Sequence, residues 1–472
     1  MVDHETLYID GTWTGSSSRE RIAVENPATQ AVIGHVPAGN AQDVDRAVAA
    51  AKAAFPAWSE RPVAERAGFL RALHASLSSR QEELAQTITA EMGAPARIAG
   101  KIQTQLPISV IAGFADMITE YPFEQRVGNS LIVSEPIGVI AAITPWNYPL
   151  HQIVAKIAPA VAAGCTVVVK PSEIAPLCAF MLFEAIDEAG FPPGVLNLVT
   201  GFGPVVGEAL AQHRDVDMVS LTGSTRAGRR VAELSAGTVK KVALELGGKS
   251  ANVVLPDADM DLAVKVGVAN AFLNAGQTCT AWTRLLVPTD RYDEALALAS
   301  KHAEGFTVGD PLDPSTKLGP LVSATQREIV RGYIETAVKE GARVVTGGAE
   351  APKGQETGYY VRPTVLADVA PDSTVAQEEI FGPVLSVIPY TDEQDALDIA
   401  NNSQYGLHGA VWAGSDERAL AFARRMQTGT VDVNGGRYNP LAPFGGYKQS
   451  GVGREMGEHG LAEFLQTKAI QV

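Results

Sequence analysis

From Gly138 onward, short apolar runs alternate with helical segments, and each run closes on a polar or glycine-rich turn: 166–169, 195–199, 218–222 and 242–244. Runs this short, apolar on both faces and separated by helices, predict a parallel sheet with crossover helices. A second series that includes 285–287, 384–388 and 410–412 predicts another α/β domain after about residue 248. Upstream, Val44, Ala47, Val48, Ala51 and Phe55 recur at helical spacing, so an amphipathic helix is expected over 40–55, with more helical pattern through 64–92. Gly128-Asn129 is a turn signal followed by the β-branched stretch Leu131-Ile132-Val133, which predicts a hairpin over 125–138. At 472 residues the chain can hold about three average domains and still enclose a cleft. It carries no low-complexity linker and no short-period repeat.

The charge balance, 38 basic against 53 acidic residues for a net of −15, includes no Lys/Arg stripe to gather phosphates, so nucleic acid is not an expected partner. Three cysteines (Cys165, Cys178 and Cys279) in a chain of this length fit a reducing compartment better than a disulfide framework. The N-terminus lacks the basic-then-apolar pattern of a secretory signal. The apolar run 157–169, bounded by Lys156 and Lys170, is too short to span a bilayer. A cytoplasmic protein, not bound to membrane, is expected. The eight histidines form no H-E-x-x-H and the cysteines no C-x-x-C, so no metal is predicted.

A lone cysteine is more often buried packing than a nucleophile, and Cys165 and Cys178, in apolar surroundings, fit that description. Cys279 differs: it sits in Ala275-Gly-Gln-Thr-Cys-Thr280, among small and polar neighbours that a substrate can approach. Glu245-Leu-Gly-Gly-Lys-Ser250 places a carboxylate at a strand end beside two glycines, and together the two segments suggest a nucleophile with a base. In Thr144-Pro-Trp-Asn-Tyr-Pro-Leu150 two prolines stiffen a loop around Asn147, whose amide can donate to a developing oxyanion. Taken alone, that loop reads as an ordinary proline turn.

Two glycine-rich segments compete as cofactor cradles. Gly201-Phe-Gly-Pro-Val-Val-Gly207 misses the G-x-G-x-x-G spacing by one residue. Gly223-Ser-Thr-Arg-Ala-Gly228 follows a strand and opens a helix, where free N–H groups and the Ser224 hydroxyl can receive a pyrophosphate, or simply cap the helix. Lys170-Pro-Ser-Glu173 and Glu379-Ile-Phe-Gly-Pro383 each offer a carboxylate; one that accepts both ribose hydroxyls favours NAD and repels the extra phosphate of NADP.

Taken together, Pro145-Trp-Asn-Tyr-Pro149, Lys170-Pro-Ser-Glu173, Gly223-Ser-Thr225, Glu245-Leu-Gly-Gly-Lys249, Gly276-Gln-Thr-Cys279, Glu379-Ile-Phe-Gly-Pro383 and Pro443-Phe-Gly-Gly-Tyr-Lys448, in this order, closely resemble the aldehyde dehydrogenase superfamily from about Tyr8 to the C-terminus. The resemblance implies a Rossmann-like NAD-binding domain (1–117 and 137–247), an α/β catalytic domain (248–449) and a β bridging arm (118–136 and 450–472). In the family that arm extends a neighbour's sheet, which implies a homodimer or homotetramer.

The resemblance further implies that the Cys279 thiolate attacks an aldehyde carbon, that Asn147 and the Cys279 N–H stabilise the oxyanion, and that Glu245 activates the water that hydrolyses the resulting thioester. Lys156 matches a lysine kept near the site. Trp146, Lys170, Ser172, Glu173, Gly203, Gly223, Ser224, Glu379 and Phe381 would hold NAD, with NADP a weaker alternative. Tyr148, His151, Gln152, Thr278, Thr280, Tyr438 and Phe444 would line the substrate tunnel, and the polarity of His151 and Gln152 favours a polar or heteroatom-bearing aldehyde, with aromatic aldehydes and semialdehydes as further candidates. A coenzyme-A-acylating relative would not need Glu245; a cysteine hydrolase would use a histidine base and no nicotinamide; a non-catalytic protein would have no use for Cys279, Glu245 and Asn147 together.

Overall fold

The computed structural model describes residues 2–472. Its first sheet has eight strands, in spatial order Gly451–Val452, Lys241–Glu245, Met218–Thr222, Val139–Ile143, Thr166–Lys170, Leu196–Leu198, Thr6–Ile9 and Thr12–Gly15. The five central strands are parallel, with Met218 opposite Ile140 and Val139 opposite Thr166. Val139–Ile143, Thr166–Lys170 and Met218–Thr222 are buried along their whole length, so each valine, isoleucine or leucine side chain contributes about 1.5–3 kcal/mol by leaving water. The chain enters this core at Val139–Ile143, moves outward through 166–170 and 196–198, then returns to the other side with 218–222. That reversal opens a crevice beyond the carboxyl ends of the strands, where ligands of open α/β sheets bind.

Helix Ala41–Ser59 begins where the amphipathic spacing does: Asn40 caps the first turn and Asp43 closes the capping box. The chain crosses from the first sheet to the second in the five residues between Glu245 and Ala251. The second sheet runs Arg343–Thr346, Thr364–Ala367, Val384–Tyr390, Arg284–Pro288, Ala251–Val254, His408–Trp412 and Thr430–Val433, all parallel except the first. Each of the two large sheets has its own apolar core.

The hairpin Glu124–Val127 and Ser130–Pro136 turns at Gly128-Asn129, and Leu465–Gln471 pairs antiparallel with its second strand along the full length. Within 450–472 the strand that pairs with this hairpin is Leu465–Gln471. Gly451 lies opposite Glu245, so Gly451–Val452 extends the first sheet, while Leu461 and Phe464 are buried in that sheet's core. No helix among the described residues is long and apolar enough to cross a membrane. The three cysteines are free, with Cys165 and Cys178 buried.

Candidate active site

Four turns at the carboxyl ends of the first sheet converge on the loops that lead into the second. The 144–148 loop follows Val139–Ile143, and in it Thr144 N–H donates to the Lys170 carbonyl at 3.0 Å. Asn147 is buried; its side-chain Nδ2 donates to the carbonyl of Gln277 at 3.0 Å, two residues before Cys279. Tyr148 Oη and Thr278 Oγ1 share a hydrogen bond of 2.7 Å, which ties the same loop to the cysteine segment from a second direction.

Cys279 follows helix Met260–Ala271 and a tight turn in which Asn274 and Ala275 hold φ of 56° and 57°. Its carbonyl is so close to Gly248 that an added Cβ there would stand 2.4 Å from the oxygen. Burial, and then the negative charges of Glu379, Glu245 and Glu455, push the Cys279 thiol well above its ordinary range, so it rests protonated and needs a base.

Glu245 ends its strand 4% exposed, with Oε2 free of any protein partner. Burial and then the nearby Glu455 charge raise its carboxyl well above the usual carboxylate range, against the pull of Lys156 and Arg454. A side chain at Gly445 would bring its Cβ to 2.7 Å from Glu245 Oε1, so glycine there leaves the carboxyl its room. Lys156, on helix Pro149–Ala163 and fully buried, donates to Thr222 Oγ1 at 2.7 Å and pairs with Glu455. Such a titratable cluster beside a thiol fits the pattern of an acid–base site.

A separate groove is lined by Ser224, Thr225, Arg226, Glu379 and Tyr405. Ser224 caps helix Thr225–Ser235, its Oγ accepting from Ala227 N–H at 3.2 Å. Gly223 is not a free donor: its N–H is spent on the Glu245 carbonyl at 2.9 Å, closing the turn between adjacent strands. Lys170 Nζ donates to Glu173 at 2.9 Å and to the Pro171 carbonyl at 2.8 Å. Burial opposes the Glu173 charge, but Lys170 and the Gly203 N–H hold its carboxyl below the usual range. Ser172 Oγ accepts from Ile174 N–H, a local turn. Glu379 accepts from Gly248 N–H at 3.0 Å, and burial raises its carboxyl to about 7. Trp146 and Phe381 meet edge to face, with centroids 5.4 Å apart.

Of the expected tunnel residues, Tyr148, Gln152 and Thr278 are buried, while His151, Thr280 and Phe444 are partly exposed and Tyr438 is half exposed. Tyr148 precedes helix Pro149–Ala163 as its N-cap, and Gln152 and Lys156, four residues apart within that helix, share a face. Gln152 Oε1 and His151 Nδ1 are buried without a partner, and burial keeps the imidazole neutral, pushed down to about 4. Phe444 exchanges two backbone hydrogen bonds of 2.7 Å with Glu455.

Glu455, Lys249 and Gln103 are site residues that sequence reasoning missed. Lys249 is buried with Nζ unpaired, and burial followed by Arg284 lowers its ammonium to about 7. Only its place in the Glu245–Ser250 segment could have marked it. Glu455 lies outside every motif segment, seven residues past Lys448.

A model of the aldehyde dehydrogenase family matches residues 13–470 of the chain. A curated relative, 3-succinoylsemialdehyde-pyridine dehydrogenase of a Pseudomonas species, is 48% identical over 100% of this chain and 99% of its own. A cysteine-to-alanine variant of aldehyde dehydrogenase C from Pseudomonas syringae, crystallised with NAD+ and octanal, is 49% identical with a TM-score of 0.98, over 99% of this chain and 96% of that one. Aldehyde dehydrogenase from Mycobacterium tuberculosis, complexed with NAD+, is 42% identical with a TM-score of 0.98, over 100% of this chain and 98% of that one.

Proposed function

The chain belongs to the aldehyde dehydrogenase family and is an enzyme of that class, and on that premise we propose that it oxidises a polar or aromatic aldehyde, or a semialdehyde, to the acid through Cys279 with NAD+. The single observation that carries this reading is the meeting of the Cys279 loop with Asn147 and Glu245, one amide and one carboxylate from the two strand ends that flank Met218–Thr222 in the first sheet.

The cofactor groove fits the group it would hold. The Lys170–Glu173 pair presents a carboxylate held ionised for ribose hydroxyls, and Ser224 opens a helix N-terminus suited to a pyrophosphate. Glu379 would meet the second ribose, with Phe381 and Trp146 beside it, and Gly203 borders the first; NADP remains a weaker fit because Glu173 repels a 2′-phosphate. When bound, NAD+ accepts the hydride from the carbon attached to Cys279.

The Cys279 thiol yields its proton to solvent water, and the freed sulfur attacks the aldehyde carbon, while Glu245, its proton affinity raised by burial, is kept for the water step. Asn147 Nδ2 has two N–H groups; one is engaged by Gln277, and the other stabilises the oxygen that gains charge, together with the Cys279 N–H. After oxidation the acyl group rests on sulfur as a thioester. Glu245 then deprotonates the water that attacks it, and the proton leaves through Lys156 and Glu455, which are paired beside it. The acyl-coenzyme-A alternative is disfavoured by a base so placed. Tyr148, His151, Gln152, Thr278, Thr280, Tyr438 and Phe444 line the approach, and the unpaired His151 and Gln152 atoms favour polar substrates, in keeping with the semialdehyde named for the Pseudomonas relative. We assign 1–117 and 137–247 with the Gly451–Val452 edge to cofactor binding, 248–449 to catalysis, and the hairpin with Leu465–Gln471 to assembly of a cytoplasmic homodimer or homotetramer by strand addition.

Rapid mixing of the wild type and of Glu245→Gln with aldehyde and NAD+ tests the reading. The wild type turns over steadily; the variant gives one enzyme equivalent of reduced cofactor and then slows by about 10²–10⁴-fold. Steady wild-type turnover in Glu245→Gln would remove that residue from the role of base. Absence of NAD+ reduction by the wild type across aliphatic, aromatic and semialdehyde substrates would overturn the assignment.

A further inference from the structure

The turn between helices Gln81–Met92 and Leu106–Glu120 contains a seven-residue π-helical segment, Ala99–Gln105. Wide turns of this kind are rare and concentrate at functional sites. This one carries Gln103 and Thr104 into the interior, both fully buried. Thr104 Oγ1 bonds back within the segment, to the Gly100 carbonyl at 2.7 Å. Gln103 instead reaches out of it, and its Nε2 donates to the main-chain carbonyl of Asn147 at 2.9 Å.

The same carbonyl accepts from Asn274 Nδ2 at 3.0 Å, so two side-chain amides, one from each side of the cleft, fill both of its lone pairs. Asn147 needs such support. Its loop has prolines at 145 and 149, which offer no N–H, and its own amide is already committed at one N–H to Gln277. On the far side the Asn274 and Gln277 side chains are locked as well: Gln277 Nε2 donates to the Asn274 carbonyl at 3.1 Å, and Gln277 Oε1 accepts from Val322 N–H at 2.9 Å. Gln103 keeps its place although Oε1 has no protein partner; beyond Asn147, its Nε2 meets only Met92 Sδ, at 3.7 Å. A methionine or leucine would fill the same space with no orphaned oxygen, so the glutamine is explained by the bond it donates to the Asn147 carbonyl.

We propose that Gln103 is a positioning residue for the oxidation step, clamping the Asn147 backbone so that the free amide N–H of Asn147 points at the developing oxyanion. The proposal rests on the oxyanion role given to Asn147 above. A displaced donor weakens the transition state more than the ground state, so the loss falls on kcat rather than on KM.

The test is single-turnover formation of reduced cofactor by the full-length enzyme for wild type, Gln103→Met, Gln103→Glu, Asn147→Ala and the Gln103→Met/Asn147→Ala double variant, with circular dichroism and NAD+ binding as checks on folding. Gln103→Met is expected to slow the step about 10-fold with both KM values within about twofold, and the double variant to be no slower than Asn147→Ala. Gln103→Glu keeps the shape but cannot donate when ionised, so its deficit relative to wild type shrinks as pH falls and the buried carboxyl takes up a proton. Additive losses in the double variant, or a wild-type rate in Gln103→Met, overturn the proposal. A wild-type rate in Asn147→Ala would first remove the oxyanion assignment on which it stands. Should Gln103→Met fail to fold, the pH profile of Gln103→Glu decides the matter, and a pH-independent deficit counts against the clamp.

Discussion

The two large sheets meet the active site by opposite ends. The first presents the carboxyl ends of its parallel strands, from which the turns carrying Asn147, Lys170–Glu173, Ser224 and Glu245 emerge. The second presents the loops that precede its strands: Lys249 before Ala251–Val254, Cys279 before Arg284–Pro288 and Glu379 before Val384–Tyr390. The backbone differs accordingly. Among the described residues, none of the non-glycine positions in the site turns of the first sheet has positive φ, whereas Asn274, Ala275 and Phe381 in the loops of the second all do. Each such residue costs about 1–3 kcal/mol and persists only where its surroundings hold it. Regular strand ends thus set a fixed frame of ionisable and amide groups, and strained loops carry the nucleophile into it.

If that division is real, the largest effect belongs to the strained side. Cys279→Ala should reduce turnover by about 10⁴-fold or more while leaving NAD+ affinity near wild type, because the Ser224 helix cap and the Lys170–Glu173 pair stand on the other sheet. Steady-state rates and a fluorescence titration of NAD+ measure the two quantities. Loss of NAD+ binding together with activity would mean that the two edges are not separable.

A smaller and complementary effect is expected on the regular side. Glu173→Gln removes the carboxylate that Lys170 holds ionised, so KM for NAD+ should rise about 10-fold and the preference over NADP+ should narrow, with kcat changed by less than about threefold. A fall in kcat at unchanged KM would place Glu173 in the chemistry and blur the comparison.

The same contrast decides what could be read from the sequence. Strands that are buried on both faces announce themselves as apolar runs, and their ends, with Gly223-Ser224 or Glu245 followed by two glycines, mark the first sheet's site turns. The cysteine segment was legible through its small neighbours and its family motif, but not the αL turn at Asn274 and Ala275 that aims it. The strands Thr6–Ile9 and Thr12–Gly15 join the first sheet antiparallel, next to a strand about 190 residues later, a pairing that no local pattern encodes. Gln103 and Glu455 escaped for the same reason. Each matters through one partner distant in sequence, Asn147 for the first and Lys156 for the second, and neither lies in a stretch whose composition sets it apart.

Glu455 gives the finest test, because it bears on Glu245 through its charge and its pair with Lys156 rather than through the cysteine loop. It pairs with Lys156 and bears on Glu245, whose carboxyl is raised first by burial and then by the Glu455 charge, while Lys156 and Arg454 pull the other way and Glu463 adds a further small push upward. Glu245 must be ionised to act as base, so a raised affinity for its proton means that activity is present at higher pH and is lost as pH falls through a range above that of an ordinary carboxylate. Glu455→Gln removes the like charge and releases Lys156 to act on Glu245 alone; both changes favour the ionised base. The acid limb of the kcat profile should therefore move to lower pH, with a gain of a few-fold in rate on the acid side and little change on the plateau. Lys156→Met should move the same limb upward. Limbs that shift together, or in the reverse sense, would show that the pair sets the position of Glu245 rather than its charge, and the frame offered by the first sheet would then be geometric alone.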